Sequence, residues 1–133
     1  MTRINAGVNP SELKRAHLLA EWREITMVPA SLRRSLRTKT KNEVLRSIGP
    51  AFTLNRGHVT FFYDKMLYLR KRMGRIAQEM VCRGFTVDYT RFEAFDGIDP
   101  EFCNDWSETA DARATVLERI SLRIAQKPHL YLD

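Results

Sequence analysis

The residue with the most distinctive potential chemistry in this sequence is the threonine at position 2. Met1 is often removed before a small residue, and its removal would expose the Thr2 α-amine. That amine has a reference pKa of about 7.7–8.0, so roughly a quarter of it is neutral near pH 7.4, against about one in a thousand lysines. A neutral amine attacks an anomeric or aldehyde carbon to form an imine, and Arg3 beside it can hold a phosphate. Many proteins begin Met-Thr without such chemistry, so the residues alone leave this role open.

A second group of candidates lies on the first predicted helix. His17, Glu21 and Glu24 fall within an arc of about 60° on a helical wheel, opposite the apolar side. A carboxylate there can stabilise positive charge or transfer protons, and Glu24 stands next to Arg23. The alternative, which the residues alone favour, is a solvated acidic face with an incidental histidine.

The charge of the chain is strongly asymmetric. The net charge is +6, but residues 1–83 hold 17 basic and 6 acidic side chains, whereas residues 84–133 hold 5 basic and 10 acidic ones. Basic residues recur in 33–46, in 65–83, and at Arg119, Arg123 and Lys127. Arg72, in the second of these segments, is predicted to lie on the polar surface of its helix. A single basic stretch usually indicates only a solvated helix face. Three of them favour nucleic-acid binding, without distinguishing DNA from RNA.

Several classes of protein are disfavoured by composition. No apolar stretch approaches the roughly 20 residues of a membrane span, and the first residues lack the apolar core of a secretory signal. The only cysteines, Cys82 and Cys103, are expected to be reduced thiols of a cytoplasmic protein. Neither cysteine has a metal-ligand spacing with a histidine, so no metal site is predicted.

Three helical stretches are predicted around one core. The first opens with Asn9 as N-cap, runs to about Met27, is broken or kinked by Pro29, and continues towards Arg37. Its expected core residues are Leu18, Leu19, Trp22 and Ile25. The second begins near Thr60 and ends at Gly84, with a core seam at steps of four and three. That seam comprises Phe62, Met66, Leu69, Met73, Ile76 and Met80.

The third stretch is predicted over 108–126, capped by Asp105 or Ser107 and stopped by Pro128. Its predicted apolar side consists of Ala110, Leu117, Ile120 and Ile124. No segment shows sustained strand alternation. The fold class is therefore all-α, a single compact domain over 1–133 with three main helices and long irregular connections.

Several segments resemble the pyrimidine-dimer DNA glycosylase family in order and spacing, over nearly the whole chain. They are Met-Thr-Arg-Ile-Asn at 1–5, Glu-Trp-Arg-Glu at 21–24, His-Val-Thr-Phe-Phe-Tyr-Asp-Lys at 58–65, Leu-Arg-Lys-Arg at 69–72, Arg-Gly-Phe at 83–85, and Ile-Ala-Gln-Lys-Pro at 124–128. The long block at 58–65 is the most specific of them. Ala16 and Met27 depart from the family pattern, and the short C-terminal tail keeps one matching aromatic residue, Tyr131.

The resemblance implies an all-helical repair enzyme without metal or organic cofactor. Such an enzyme would act on cyclobutane pyrimidine dimers in duplex DNA, cut the glycosidic bond of the 5′ pyrimidine, and nick the backbone by β-elimination. The family's nucleophilic amine matches Thr2 and its essential carboxylate matches Glu24. Its substrate-binding positions match Arg3, His17, Arg23, Arg119 and Arg123. The expected partner is damaged double-stranded DNA, bound by a monomer with no membrane association.

Two alternatives remain at this stage. A relative of the same fold can be non-catalytic, or can act only at abasic sites, while still binding DNA. A protein–protein adaptor would instead use the acidic half of the chain. The leading hypothesis also makes a spatial prediction: one basic face surrounds Thr2 and Glu24, and the acidic segment 86–105 is turned away from it.

Overall fold

The computed structural model describes residues 3–132 and is all-α, which confirms the predicted fold class. No strand occurs in this range, apart from one isolated bridge between Lys65 and Cys103. The three predicted stretches contain five of the six α-helices, and the sixth, over 41–46, lies in a segment predicted to be an irregular connection. The six are α1 (Arg15–Glu24), α2 (Met27–Thr38), α3 (Lys41–Arg46), α4 (His58–Phe61), α5 (Met66–Cys82) and α6 (Ala110–Gln126). Short 3-10 helices lie at Pro10–Glu12, Tyr89–Phe95, Pro100–Phe102 and Pro128–Leu130.

The first predicted helix is three separate elements. Asn9 does cap a turn, because its side chain accepts a hydrogen bond from the Ser11 backbone, but that turn is the 3-10 helix Pro10–Glu12. Leu13 is then extended, and α1 begins only at Arg15. The predicted break occurs, but at Ile25 and Thr26, so that Pro29 lies in the first turn of α2. Pro29 has no N–H to donate to Ile25, and the Ile25 carbonyl accepts from Val28 at 3.3 Å instead.

Helix α5 is the centre of the core. All six residues of the predicted seam are at most 3% exposed, which confirms the buried face. The predicted start at Thr60 is wrong, because 58–61 form the separate helix α4 and α5 begins at Met66. The predicted end is right: Gly84 has φ +89°, its N–H donates to Val81, and Phe85 N–H donates to Met80. These two bonds are those of a Schellman motif, whose left-handed residue favours glycine.

Helix α6 packs through a different face from the one predicted. Ala112 and Val116 are its buried residues, whereas Ala110 is exposed and Ile120 only partly buried. Thr109, not Asp105 or Ser107, caps the helix by accepting from Ala112 N–H. The predicted interval of three and four residues was therefore correct, but the buried residues lie about 100° around the helix from the centre of the predicted side. Leu117 and Ile120 of that side still pack against the core.

The acidic segment 86–105 is held by cations of the preceding half. Lys41 contacts Asp99 and Glu101 at 3.3 and 2.8 Å, and Lys71 contacts Asp105 at 2.7 Å. The Arg33 guanidinium donates to the carbonyls of Ala94 and Asp96. Part of the positive charge of residues 33–71 is therefore used inside the molecule. Within residues 3–132, no helix has both the length and the apolar character needed to cross a membrane.

Candidate active site

The segment 3–8 is held in place by side chains from distant elements. Its first described contact is between the backbone N–H of Arg3 and Oε1 of Glu24, at 2.9 Å. Glu24 is the last residue of α1 and is half-buried. Because this N–H belongs to the first described residue, the hydrogen bond places the Glu24 carboxylate at the start of segment 3–8. Thr2 itself lies outside the described residues.

The next residue of the segment is held by a buried histidine. Ile4 N–H donates to Nε2 of His58 at 3.0 Å. Nδ1 of His58 lies 2.7 Å from the Thr53 carbonyl, which can only accept, so Nδ1 carries the proton and Nε2 is free to accept. Burial lowers the pKa of His58, and Arg3 adds to this. The ring is therefore neutral, in the one tautomer that can hold Ile4.

Asn5 connects the segment to a buried ion pair. Its side-chain amide donates to Oε1 of Glu21 at 2.9 Å. Both oxygens of Glu21 accept from Arg72, at 2.6 and 3.0 Å, and the same guanidinium donates to the Val8 carbonyl. The side chains of Glu21 and Arg72 are both fully buried. Burial alone lowers the pKa of Arg72, but the Glu21 carboxylate raises it by more, so the guanidinium stays charged.

This ion pair corrects two predictions. Glu21 was placed on the solvated acidic face with His17 and Glu24, and Arg72 was assigned to the polar surface of α5. Each is only 1% exposed. Arg72 lies three residues after Leu69 and four before Ile76, which is the spacing of the core seam. That spacing was the available signal, but the charge of the residue argued against burial.

The turn at Gly7 is another point at which side chains of distant elements hold segment 3–8. Gly7 N–H donates to Oε2 of Glu108 at 2.9 Å, and its carbonyl accepts from Arg113 of α6. Gly7 has φ +82°, and a Cβ here would lie 2.7 Å from the Cβ of Arg113. The close approach of α6 to the segment therefore requires a glycine. Tyr68 OH also donates to Glu108, at 2.6 Å.

A pocket of about 310 Å³ opens between segment 3–5, α1 and α6. It is lined by Arg3, Asn5, Ala16, His17, Ala20, Glu21, Glu24, Arg119, Ile120, Arg123 and Tyr131. This list contains five of the seven predicted site residues: Arg3, His17, Glu24, Arg119 and Arg123. No residue of 86–105 is among the described lining residues.

Three guanidinium groups converge in this pocket. The pKa of Arg3 is lowered by partial burial and by the positive charges of Arg119 and Arg123, and Glu24 only partly offsets this. The Arg3 guanidinium also donates to the Leu54 carbonyl at 2.7 Å, which fixes one of its nitrogens. Like charges brought together repel one another, and an anion between them relieves the repulsion. The arrangement therefore favours a phosphate group beside Glu24.

An aromatic stack closes one side of the pocket. The rings of His17 and Tyr131 are nearly parallel, with centroids 4.4 Å apart and an interplanar angle of 7°. Tyr131 follows the 3-10 helix Pro128–Leu130 that ends α6. The stack thus joins the tail of the chain to α1 at the entrance of the pocket.

Of the other two predicted site residues, Thr2 lies outside the described residues and Arg23 lies elsewhere. It lines an adjacent depression with Arg15, Leu19 and His129, and Ala16 borders both cavities. The structure therefore does not bring Arg23 into the pocket with Glu24. The pocket also contains Asn5 and, beneath it, Arg72 and His58, to which sequence reasoning gave no role. Within residues 3–132, no group of three His, Cys, Asp or Glu side chains is arranged to hold a metal ion.

Comparison with known protein families adds independent evidence. The family model described as pyrimidine dimer DNA glycosylase matches residues 1–92. The match is more than half of the chain, covers the N-terminal segment and α1 to α5, and ends before α6, which carries Arg119 and Arg123. The chain therefore belongs to the pyrimidine dimer DNA glycosylase family of DNA repair enzymes.

Proposed function

We propose that this protein is a bifunctional glycosylase and abasic-site lyase for cyclobutane pyrimidine dimers in duplex DNA, with the Thr2 α-amine as nucleophile. The observation that carries the proposal is the 2.9 Å hydrogen bond from Arg3 N–H to Glu24. Standard bond lengths limit the α-nitrogen of residue 2 to about 4 Å from Arg3 N, whatever the torsion angles. Removal of Met1 would thus create an amine next to the carboxylate.

In the glycosylase step, the neutral amine attacks C1′ of the 5′ nucleotide. A C1′–nitrogen bond forms and the glycosidic bond breaks, with its electron pair leaving on the pyrimidine. Positive charge develops on the sugar in this step, and the Glu24 carboxylate stabilises it. The three converging guanidinium groups hold the flanking phosphates and so position the sugar.

In the lyase step, the secondary amine loses a proton and the sugar ring opens, with O4′ taking a proton, to give a protonated imine at C1′. Loss of a C2′ proton then expels the 3′ phosphate with the electron pair of the C3′–O bond. Glu24 transfers these protons. Its Oε2 accepts no hydrogen bond from residues 3–132, so this oxygen is available for the transfers.

The first test concerns the amine. Borohydride reduces the imine to a stable amine and leaves a covalent protein–DNA band on dimer or abasic duplexes. We expect this band from wild-type protein whose mass shows loss of Met1. Thr2→Ser, which keeps a small residue and hence the processing, should retain it, whereas Thr2→Leu, which retains Met1 and adds no amine, should abolish it. Equal trapping by the Thr2→Leu protein would assign the nucleophile to another amine.

The second test concerns the carboxylate. Glu24→Gln keeps an oxygen that can accept from Arg3 N–H but removes the charge and the proton acceptor. We expect strand cleavage to fall by at least about 10²-fold, the lower range for general acid–base catalysis, with DNA affinity retained. Glu93→Gln removes a carboxylate from the exposed 3-10 helix Tyr89–Phe95 and is the matched control. Cleavage by Glu24→Gln at the control rate would exclude Glu24 from the mechanism.

A further inference from the structure

The pocket at Glu24 adjoins the depression at Arg23 through Ala16, and it adjoins a longer groove through Arg3 and Arg119. A middle depression of about 410 Å³ shares Arg3 and Arg119 with the pocket. A far depression of about 440 Å³ shares Arg56, Gly57 and Thr60 with the middle one and extends to α2. Because each pair of neighbouring depressions has lining residues in common, the three form one continuous groove across the surface.

From this continuity we infer that the groove holds the sugar-phosphate backbone of one DNA strand beyond the lesion, and that Arg56 and Lys39 contact its phosphates. Arg56 lines both the middle and the far depression, and Lys39 lines the far one. With Arg123, Arg119 and Arg3, they place cations along the whole groove. Carboxylates line only the end at Glu21 and Glu24; among the described residues, none lines the other two depressions.

Several other basic residues are already paired with carboxylates of the same chain. Lys41, Lys71, Arg72, Arg83 and Arg113 each form an ion pair with a carboxylate of the same chain. Within residues 3–132, neither Arg56 nor Lys39 forms an ion pair or a side-chain hydrogen bond, and both are exposed. The charge of Lys39 also acts on the nearby Glu43 carboxylate, but neither cation is held in a direct ion pair within residues 3–132, so both can contact a phosphate.

The chemistry of the groove fits a polyanion with regularly spaced charges. Each strand of duplex DNA carries one phosphate for about every 3.4 Å of the helix axis. When a protein binds, its Lys and Arg side chains replace condensed counterions at these phosphates. The hydroxyl groups of Ser35 and Thr60 line the far depression beside Lys39 and can donate to phosphate oxygens. Because the groove starts at the pocket that holds the reacting sugar, the occupant is the continuation of the strand that enters that pocket. The inference rests on DNA as the partner and not on the imine chemistry.

The test is the salt dependence of affinity for an abasic duplex, measured for wild type, Arg56→Gln and Lys39→Gln. Each lost phosphate contact should reduce the slope of log K against log salt by about 0.9. Arg70→Gln is the matched control, because Arg70 is exposed on α5 over the ring of Phe92, away from the groove. An unchanged slope for both groove variants, or an equal change for Arg70→Gln, would overturn the inference. Far-ultraviolet circular dichroism checks that each variant is folded.

A second measurement locates the contact along the DNA. Two duplexes are used, each with the arm on one side of the abasic site shortened to a few base pairs. The affinities of wild type and Arg56→Gln are compared on both duplexes. The difference between the two proteins should disappear for one shortened arm only, because Arg56 lines the groove on one side of the pocket and not the depression at Arg23. Loss with both arms, or with neither, would contradict a single directed strand. Wild-type borohydride trapping is scored separately, so a failure of the proposed reaction is distinguishable from a failure of the groove.

Discussion

Arg72 and Arg119 are both arginines on 17-residue helices next to the same pocket, but their surroundings are opposite. The Arg72 guanidinium is fully buried, and it donates two hydrogen bonds to Glu21 and one to the Val8 carbonyl. Arg119 is half-buried, forms no ion pair within residues 3–132, and lies close enough to Arg3 to lower the pKa of that residue. The two arginines thus differ in their contacts, although they lie on helices of equal length: Arg72 is paired inside the fold, whereas Arg119 has no carboxylate partner within residues 3–132.

The comparison separates the part of the charge that maintains the fold from the part that is available to a ligand. Beneath the pocket, every charge of the buried network is paired, because an isolated buried charge is too costly. Along the groove, no cation forms an ion pair with a carboxylate within residues 3–132. Glu24 only partly offsets the mutual repulsion of the guanidinium groups in the pocket, so an anion is favoured there. A basic protein of this kind is therefore described better by which cations are paired than by its net charge.

The largest effect is expected from the buried side of the comparison. Arg72→Met leaves the Glu21 carboxylate buried and without its cation, and should lower the free energy of unfolding by about 3–5 kcal/mol. Urea unfolding measures this. Arg75→Met is the matched control on the same helix, because Arg75 is 45% exposed and contacts Glu108 only at 3.5 Å. Similar losses of unfolding free energy for Arg72→Met and Arg75→Met would show that the buried ion pair contributes no more to stability than an exposed arginine does. Adding Glu21→Leu to Arg72→Met should recover part of the loss, because the unpaired charge is removed.

A smaller effect is expected at His58, with a defined pH dependence. Its pKa is below the ordinary 6.5 in the folded protein because the ring is buried, with Arg3 and Glu21 as neighbouring charges. The unfolded chain therefore binds the proton first, and this contribution is fully present above about pH 6.5 and is lost as the pH falls towards the folded pKa. His58→Gln should cost about 1–3 kcal/mol near pH 7.5, since Ile4 and Thr53 lose a joint partner, and should reduce the loss of stability on acidification. His129→Gln, at an exposed position, should leave both unchanged. A His58→Gln protein with the wild-type pH dependence would contradict this assignment.

The smallest effect on stability is expected in the groove. Arg119→Gln removes a charge that repels Arg3, so the unfolding free energy should change by no more than about 0.5 kcal/mol, towards greater stability. Affinity for DNA should nevertheless fall. Arg113→Gln, on the same helix, should lose about 1 kcal/mol, because Arg113 donates to the Gly7 carbonyl and contacts Glu12. Thermal unfolding and binding measured on both variants test the contrast directly. A destabilised Arg119→Gln protein would place Arg119 with the structural cations.

The local parts of the fold were predictable from the sequence. The seam of α5, the left-handed Gly84 and the break before Pro29 all follow from intervals of three and four residues or from the stereochemistry of glycine and proline. The separation of α4 from α5 was not predictable in the same way, because Thr60 has the features of an N-cap. The face of α6 was also misplaced, since Ala112 and Val116 are buried by contacts with distant segments.

The two glutamates of α1 show where prediction of the site stopped. Glu21 and Glu24 are three residues apart and look equivalent on a helical wheel. Glu21 is buried because Arg72, 51 residues away, supplies a cation inside the core. Glu24 remains at the pocket because Arg3 N–H, 21 residues before it, reaches its carboxylate. Neither partner can be identified from spacing within α1. The family resemblance selected Glu24 over Glu21 as the essential carboxylate, but it did not predict the contact between Glu24 and Arg3.

The sequence by itself determined the helical class, the buried face of α5, the excess of cations and, through the family's motifs, a set of candidate site residues. These depend on local stereochemistry, periodicity and composition, which neighbouring residues define. Only the tertiary structure decided which charges are paired and which are free to meet DNA. It brings segment 3–5, α1 and α6 into one pocket and joins that pocket to Arg56 and Lys39. The physical reason is that pairing and burial depend on residues up to about a hundred positions apart, as Gly7 and Glu108 show.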